Sequence, residues 1–152
     1  MWMESIHIQI SLNKKMPKKS EKKFYSGTGK RKRAVAAVWL FEKKGDITVN
    51  GIPIEEYFKT EKERLSWVRP FHIVGVAHPT AKFSATVKLL GGGKSSQVEA
   101  LALGFSKALL SYDEEFRFKL RKADLLTRDS REVESKKYYK RKARKKQQYS
   151  KR

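Results

Sequence analysis

Two stretches of the chain have hydrophobic patterns that predict β-strands. Residues 34–41 are all apolar and end in Val-Trp-Leu-Phe, which is typical of a strand covered on both faces. Residues 82–90 alternate instead, and their apolar positions are Phe83, Ala85, Val87 and Leu89. Because successive side chains of a strand point to opposite faces, we expect the second strand to turn one face to the core.

Turn signals between these strands predict a hairpin. Gly45-Asp46 is expected to connect the first strand to a short one in which Ile47 and Val49 alternate with polar residues, and Asn50-Gly51 is expected to end it. A short helix should follow Pro53. Thr60 with Glu63 then predicts a capping box for a helix that carries Leu65 and Val68. Pro70 is expected to end that helix, and residues 71–76 to form another strand.

A long amphipathic helix is predicted after the glycine run at residues 91–93. Apolar residues recur there at helical spacing, at Val98, Leu101, Ala102, Phe105 and Leu109. Ser95 or Ser96 is expected to cap its first turn, and Ser111 with Glu114 to cap a further helix that buries Phe116 and Leu120. The order of elements predicts an α+β fold, with a mostly antiparallel sheet and helices on one face.

Positive charge is concentrated at the two ends of the 152-residue chain, whose net charge is +20. Residues 14–33 carry ten basic residues and one acid, residues 128–152 carry twelve and three, and residues 34–127 are net +3. We therefore predict a poorly structured extension at residues 1–24, a body at residues 25–127 and a basic C-terminal arm at residues 128–152. Two cationic blocks on a nearly neutral body indicate a nucleic-acid partner.

The end of this arm is the strongest signal for that partner. Residues 136–152 contain ten Lys or Arg and no acid, so like charges oppose folding and favour a polyanion. A merely solvated tail is the alternative. Against it, Tyr138, Tyr139 and Tyr149 lie among the cations, and aromatic faces beside Arg and Lys suit RNA bases. No membrane contact is expected, because the arm lacks an amphipathic apolar face.

Two glycine-rich segments are candidate phosphate contacts. Gly27-Thr-Gly-Lys-Arg-Lys-Arg33 fails the phosphate-loop pattern, because Phe24 occupies the position of the first glycine and Arg31 that of the Ser or Thr. We interpret it as a flexible turn with four consecutive cations, and a nuclear-import signal remains an open alternative. Gly91 to Gly93, called the glycine corner below, should form a tight strand-to-helix turn, whose backbone amides could also hold an RNA phosphate.

Little in the sequence favours an enzyme. The chain has no cysteine and only three scattered histidines, so we expect no metal site and no cofactor. A small-molecule kinase is the rival enzyme hypothesis, because Gly-Gly-Gly-Lys-Ser-Ser superficially resembles a phosphate loop. The body is too small for a second substrate lobe, and no acid–base pair suggests catalysis. A free-standing RNA chaperone is the second rival.

Short motifs in a fixed order resemble the family of the universal small-subunit ribosomal protein number nine. They span about residues 25–152 and end on the final residue. The motifs are Gly27-Thr-Gly-Lys-Arg-Lys-Arg-Ala-Val-Ala36, Val49-Asn-Gly51, Glu56-Tyr-Phe58, Gly91-Gly-Gly93 with Gln97, Leu126-Thr-Arg-Asp129, Lys136-Lys-Tyr138, Ala143-Arg144 and Ser150-Lys-Arg152. Each motif is weak alone, but the ordered set is specific.

This resemblance implies a two-layer α+β sandwich like the second domain of ribosomal protein number five, and a seat in the head of the small ribosomal subunit. Its implied partners are ribosomal RNA, neighbouring ribosomal proteins and the tRNA in the peptidyl site. The implied tRNA-contacting residues are Ser150, Lys151 and Arg152. With the glycine corner and the other arm cations, the predicted rRNA-binding residues are Lys30, Arg31, Lys32, Arg33, Gly91, Gly92, Gly93, Arg128, Arg131, Lys136, Lys137, Lys140, Arg141, Lys142, Arg144, Lys145 and Lys146.

The chain also departs from the family pattern. After the glycine run the family usually has Ser-Gly-Gln-Ala-Gly-Ala, whereas Ser96 and Glu99 replace the two glycines here. A carboxylate at position 99 would repel a nearby phosphate, which argues against tight RNA contact at this corner. The start is lysine-rich without arginine, unlike a transit peptide, which favours a bacterial cytoplasm. An organellar ribosome stays open, as does whether Met1, Met3 or Met16 is the true start.

Overall fold

One mixed sheet of five strands organises the protein, whose computed structural model describes residues 24–151. The sheet order is β1-β2-β5-β3-β4. The elements, in chain order, are β1 Tyr25–Arg31, β2 Ala34–Phe41, β3 Ile47–Val49, β4 Ile52–Pro53, α1 Ile54–Tyr57, α2 Glu61–Val74, α3 Pro79–Lys82, β5 Ser84–Leu90, α4 Lys94–Tyr112 and α5 Phe116–Lys122. Helix α4 packs across β1 and β2, and α2 packs against α4. The predicted α+β class is confirmed.

The two strands that the hydrophobic pattern predicted form the centre of this sheet. Strand β2 lies between β1 and β5 and pairs with both in antiparallel fashion. Its even-numbered residues are fully buried and its odd-numbered residues are half-buried. In β5 the alternation is confirmed, since Ala85, Val87 and Leu89 are buried while their neighbours are half-buried or exposed. The core therefore lies on one face, between the sheet and α4.

The predicted hairpin between β2 and β3 is wrong, because β5 lies between them. β2 and β5 align seven residue pairs, among them Val38 opposite Val87, whereas β3 is only three residues long and pairs with β5 in parallel fashion. The longer antiparallel ladder satisfies more backbone groups and buries more apolar surface. The Asn50-Gly51 turn does close a hairpin, but between β3 and β4, with both residues at positive φ, 51° and 85°.

Strand β1 replaces most of the flexible turn predicted at residues 27–33. It pairs with β2 from Tyr25 to Arg31, and only Lys32 and Arg33 remain as the turn. The glycines serve close packing instead: a Cβ built on Gly27 would lie 2.1 Å from the carbonyl oxygen of Gly104 in α4, and one on Gly29 would lie 1.8 Å from that of Ala100. Because only glycine allows this approach, the helix backbone rests directly on the strand.

Helix α2 continues through Pro70 to Val74, so the predicted helix end and the predicted strand at residues 71–76 are both wrong. A proline inside a helix costs about 3 kcal/mol, but burying a large apolar side chain contributes roughly 1.5 to 3 kcal/mol. Trp67, Phe71 and Val74 are all buried on one helical face with Pro70. Of the two apolar residues noted in the sequence for this helix, Leu65 is 61% exposed and Val68 packs against the core. Gly75, at φ 96°, ends the helix.

The core stripe of α4 is confirmed, because all five predicted residues are buried: Val98, Leu101, Ala102, Phe105 and Leu109. The predicted serine caps are wrong. Gly93 is the N-cap residue of α4, and Ser111 lies within α4 and donates its hydroxyl hydrogen bond to the Lys107 carbonyl at 3.1 Å. Within residues 24–151, Thr60 also makes no side-chain capping bond to α2.

The predicted extension at residues 1–24 lies outside the described residues except for Phe24, whose ring centroid lies 6.3 Å from that of Phe41. None of the helices in residues 24–151 combines the length and the hydropathy that a bilayer crossing requires.

Candidate nucleic-acid interface

The basic β1–β2 turn and the triple-glycine corner meet at one end of the sheet. Gly91 and Gly92 are left-handed, at φ 67° and 66°. A Cβ on Gly91 would lie 2.5 Å from the carbonyl oxygen of Arg33, and one on Gly92 would lie 2.9 Å from the Cβ of Ala34. The basic turn and the glycine run, which are separate signals in the sequence, therefore lie side by side.

Polar side chains fix the position of this corner. The Gln97 amide donates to the Gly91 carbonyl at 3.1 Å, and Gln97 accepts a hydrogen bond from the Tyr57 hydroxyl at 3.0 Å. The ammonium of Lys94 donates to the Tyr57 carbonyl and lies 3.3 Å from the centroid of the Tyr57 ring. A cation on an aromatic face adds about 0.5 to 2 kcal/mol. In the sequence, Tyr57 and Gln97 were noted only as members of family motifs. In the structure, they hold the glycine turn in position.

The Val-Asn-Gly motif has a similar structural role. The side-chain amide of Asn50 donates to the Leu89 carbonyl at 3.1 Å and accepts from the Leu89 amide at 2.9 Å. These two bonds extend the ladder between β3 and β5 by one side chain. They hold β5 in place directly before it enters the glycine corner.

The C-terminal arm begins beside the same corner. An open cleft of about 450 Å³ separates them and is lined by Lys32, Arg33, Gly92, Gly93, Ser96 and residues 132–136. Arg33 reaches across it, with Nε 3.3 Å from Glu132 Oε1. Lys32 and Lys136 are exposed on its rim. The cleft brings predicted rRNA-binding residues from three parts of the chain together.

Arg31 differs from the other three cations of its cluster. Its side chain is only 13% exposed, and it contacts Glu99 and Asp129 instead of solvent. Lys30, Lys32 and the side chain of Arg33 are exposed. Hydrogen bonds from Arg131, together with the charges of Arg131 and Arg31, hold the pKa of the Asp129 carboxyl well below its usual range. The carboxylate at this junction is therefore ionised.

The arm beyond this point presents its cations to solvent. The exposed predicted rRNA-binding residues of the arm are Arg128, Arg131, Lys136, Lys137, Arg141, Lys142, Arg144, Lys145 and Lys146, while Lys140 is half-buried. Residues 140–146 form a small loop, in which the Arg141 amide donates to the Lys145 carbonyl at 2.7 Å. Arg144 also pairs with Glu134 at 2.9 Å.

The arm tyrosines and the tip are exposed as well. Tyr138 and Tyr139 are 84% and 88% exposed, with ring centroids 5.7 Å apart, and Tyr149 is 87% exposed. Ser150 and Lys151 are exposed at the end of the described chain, and Arg152 lies outside it. Such a surface combines cations, which attract the phosphates of single-stranded RNA, with aromatic rings, on which its bases can stack.

The described residues offer little else chemically. Between residues 24 and 151, no group of three or more His, Cys, Asp or Glu side chains is placed to hold a metal ion. Glu99, which the sequence suggested would repel a phosphate at the corner, has its charge paired with Arg31 at 2.5 Å. Ser96 lines the cleft, where a family glycine usually stands. The site is therefore an electrostatic surface with a rigid glycine corner at its centre.

Comparison with known proteins places this surface in a family. The family model described as ribosomal protein S9/S16 matches residues 29–152. Proteins named small ribosomal subunit protein uS9 are similar over most of their length. That of Cytophaga hutchinsonii is 48% identical over 124 residues, covering 82% of this chain and 94% of the relative. That of Syntrophobacter fumaroxidans is 47% identical over 133 residues, covering 88% and 99%.

A third relative is similar over a comparable length. The protein of that name from Thermus thermophilus is 44% identical over 128 residues, covering 84% of this chain and 98% of the relative. The matched region includes the basic turn, the glycine corner and the whole C-terminal arm. The family model covers most of the chain and the relatives align with at least four fifths of it, so the chain belongs to the ribosomal protein S9/S16 family.

Proposed function

We propose that this chain is a structural component of the small ribosomal subunit that binds ribosomal RNA, and that it has no enzymatic role. The observation that carries the proposal is the family match over residues 29–152. The relatives are named as small-subunit proteins, and this chain aligns with almost their full length. The exposed cations of the turn and the arm support it, because they suit a phosphate backbone.

The binding is electrostatic in origin. Each phosphate that an exposed Lys or Arg neutralises releases condensed counterions, so affinity depends steeply on salt. Arg33, with its exposed guanidinium, can present two parallel N–H groups to one phosphate, while Lys32 and Lys136 act as point charges. In this proposal a segment of RNA backbone lies along the cleft between them, and neighbouring ribosomal proteins complete the seat.

Sedimentation tests this seat directly. In a lysate of the source cells, the full chain should cofractionate with small subunits and remain there after a high-salt wash. A free-standing RNA chaperone, the rival function, would be released into the soluble pool by that wash. A body variant ending at residue 127 is the matched control, because it retains every described strand and helix and loses twelve cations. Release of the full chain as readily as the control contradicts the proposal.

The finer part of the proposal concerns the tip of the arm. In the assembled subunit, Ser150, Lys151 and Arg152 touch the anticodon stem-loop of the tRNA in the peptidyl site. The exposure of Ser150 and Lys151 at the end of the arm supports this role. Arg152 adds a planar fork matched to phosphate oxygens. The three relatives described above are from bacteria, which supports a bacterial ribosome and hence the cytoplasm.

Deleting residues 150–152 tests the tip. We expect subunit assembly to be unchanged and tRNA affinity in the peptidyl site to fall, measured by filter binding on isolated small subunits at matched occupancy. The variant Lys145→Gln/Lys146→Gln also removes two side-chain charges, but from within the arm, and should affect tRNA affinity less. Equal affinities for trimmed and full-length protein would show that the tip has no special role.

A further inference from the structure

Arg31 joins three separate parts of the molecule. It is the last residue of β1, and its guanidinium donates in three directions. Nε bonds to Glu99 Oε2 of α4 at 2.5 Å, Nη1 to the Arg131 carbonyl at 2.9 Å, and Nη2 lies 3.1 Å from Asp129 Oδ2. Sheet, helix and arm therefore meet on one side chain.

The arm side of this junction is itself preorganised. Asp129 Oδ1 accepts the Arg131 backbone amide at 2.9 Å, and Asp129 Oδ2 accepts Arg131 Nη2 at 2.7 Å. These bonds fold residues 129–131 into a tight turn that aims one carboxylate oxygen and one carbonyl at Arg31. Arginine serves both of them and Glu99 with three different nitrogens of a planar fork, whereas a lysine would have to reach all three acceptors from one nitrogen.

Burial separates this contact from the other ion pairs of the arm. The Arg31 side chain is 13% exposed, whereas Arg33 and Arg144, which pair with Glu132 and Glu134, are 86% and 88% exposed. Exposed pairs contribute little to stability, while a shielded charge-assisted network holds its geometry. The contact is partly shielded, because the Arg31 side chain is covered while Glu99 and Asp129 are 54% and 34% exposed. It should therefore decide where the arm leaves the body.

We propose that Arg31 is a positioning residue that latches the C-terminal arm to the body through Asp129 and the Arg131 carbonyl, with Glu99 holding the guanidinium in place. The latch sets the position and direction of the arm as it passes the glycine corner. In this chain Arg31 is therefore committed to the arm instead of to an RNA phosphate, while Lys30, Lys32 and Arg33 stay available. The use of the latch in RNA binding rests on the proposed function of the arm. The latch itself rests only on the contacts of Arg31.

Distance measurements between spin labels test the latch on the free, full-length chain. The sequence has no cysteine, so a pair at Lys107→Cys on α4 and Ser135→Cys on the arm can be labelled uniquely; both positions are exposed. We expect a narrow distance distribution for the parent chain. Glu99→Gln, which keeps the shape and removes the charge, and Arg31→Lys, which keeps the charge and removes the fork, should both broaden it.

Two controls make the result decisive. Glu132→Gln breaks the exposed pair with Arg33 and should leave the distribution narrow. A second label pair at Lys43→Cys and Lys107→Cys lies within the body and should stay narrow in every variant. The proposal is overturned if Glu99→Gln leaves the arm distance unchanged, if Glu132→Gln broadens it equally, or if the body pair broadens too. Because no RNA is present, these outcomes are independent of the subunit and tRNA experiments.

Discussion

At the scale of single residues, the glycine corner separates positions that require glycine from one that does not. Gly91 and Gly92 are left-handed and touch the β1–β2 turn, whereas Gly93 has φ −104° and open space where a Cβ would be. A left-handed conformation costs a residue with a Cβ roughly 1 to 2 kcal/mol. We therefore expect Gly91→Ala to lower the free energy of unfolding by at least that amount, since it must also displace the Arg33 carbonyl.

Gly93→Ala is the matched control for this prediction, and urea denaturation of both variants is the measurement. Alanine at position 93 has room and an allowed φ, so it should change stability little. Equal losses for the two variants would show that the corner is held together by something other than the backbone conformation of Gly91.

The same scale shows what the sequence could not distinguish. Four consecutive cations look alike in a sequence, yet Arg31 is shielded and Arg33 is exposed. The difference depends on Glu99 and Asp129, which lie 68 and 98 positions away along the chain. Charge counting predicted a basic surface, but only tertiary pairing decides which of its cations are free for RNA. By contrast, Gly27 and Gly29 carried a local signal: glycines two apart fit one face of a strand.

At the scale of elements, α4 is the central helix of the core. Phe105 is fully buried and packs against Phe71 with ring centroids 5.0 Å apart, while Lys107 is exposed two positions later. We expect Phe105→Ala to destabilise the full chain by roughly 3 to 5 kcal/mol, the usual cost of emptying such a site. Lys107→Ala should change it by less than about 0.5 kcal/mol. Thermal unfolding followed by circular dichroism checks both, and similar losses would contradict the observed helix register.

Elements with a clear hydrophobic period could be predicted from the sequence, but the elements that they pair with could not. The alternation in β5 and the stripe in α4 both predicted the buried residues, because each pattern is fixed within one element. The position of β5 between β2 and β3 depends on contacts between residues far apart in the chain. Pro70 was misjudged for a related reason: its local cost is opposed by the burial of Trp67 and Phe71 against a core that the local sequence does not show.

At the scale of the whole molecule, the structure assembles the basic turn, the glycine corner and the start of the arm at one end of the sheet. Lys43 follows the opposite end of β2, and Lys107 lies far along α4 from the Gly93 cap. Among the described residues, positive charge is therefore concentrated at this end and in the arm, because residues 34–127 together are net only +3. If the basic end binds RNA, removing the same number of cations from the two regions should have unequal effects.

Salt dependence measures this inequality. Each phosphate contact contributes about 0.7 to 0.9 to the slope of log affinity against log salt concentration. We expect Lys136→Gln/Lys137→Gln, at the start of the arm, to flatten the slope for small-subunit ribosomal RNA by up to two such contacts. Lys43→Gln/Lys107→Gln removes the same amount of charge and should leave the slope unchanged.

Deleting residues 136–152, which removes ten cations and keeps the Arg31 contacts to residues 129 and 131, should flatten the slope most. Equal slopes for the two double variants would mean that net charge alone governs binding, and an unchanged slope after the deletion would mean that the arm is only solvated.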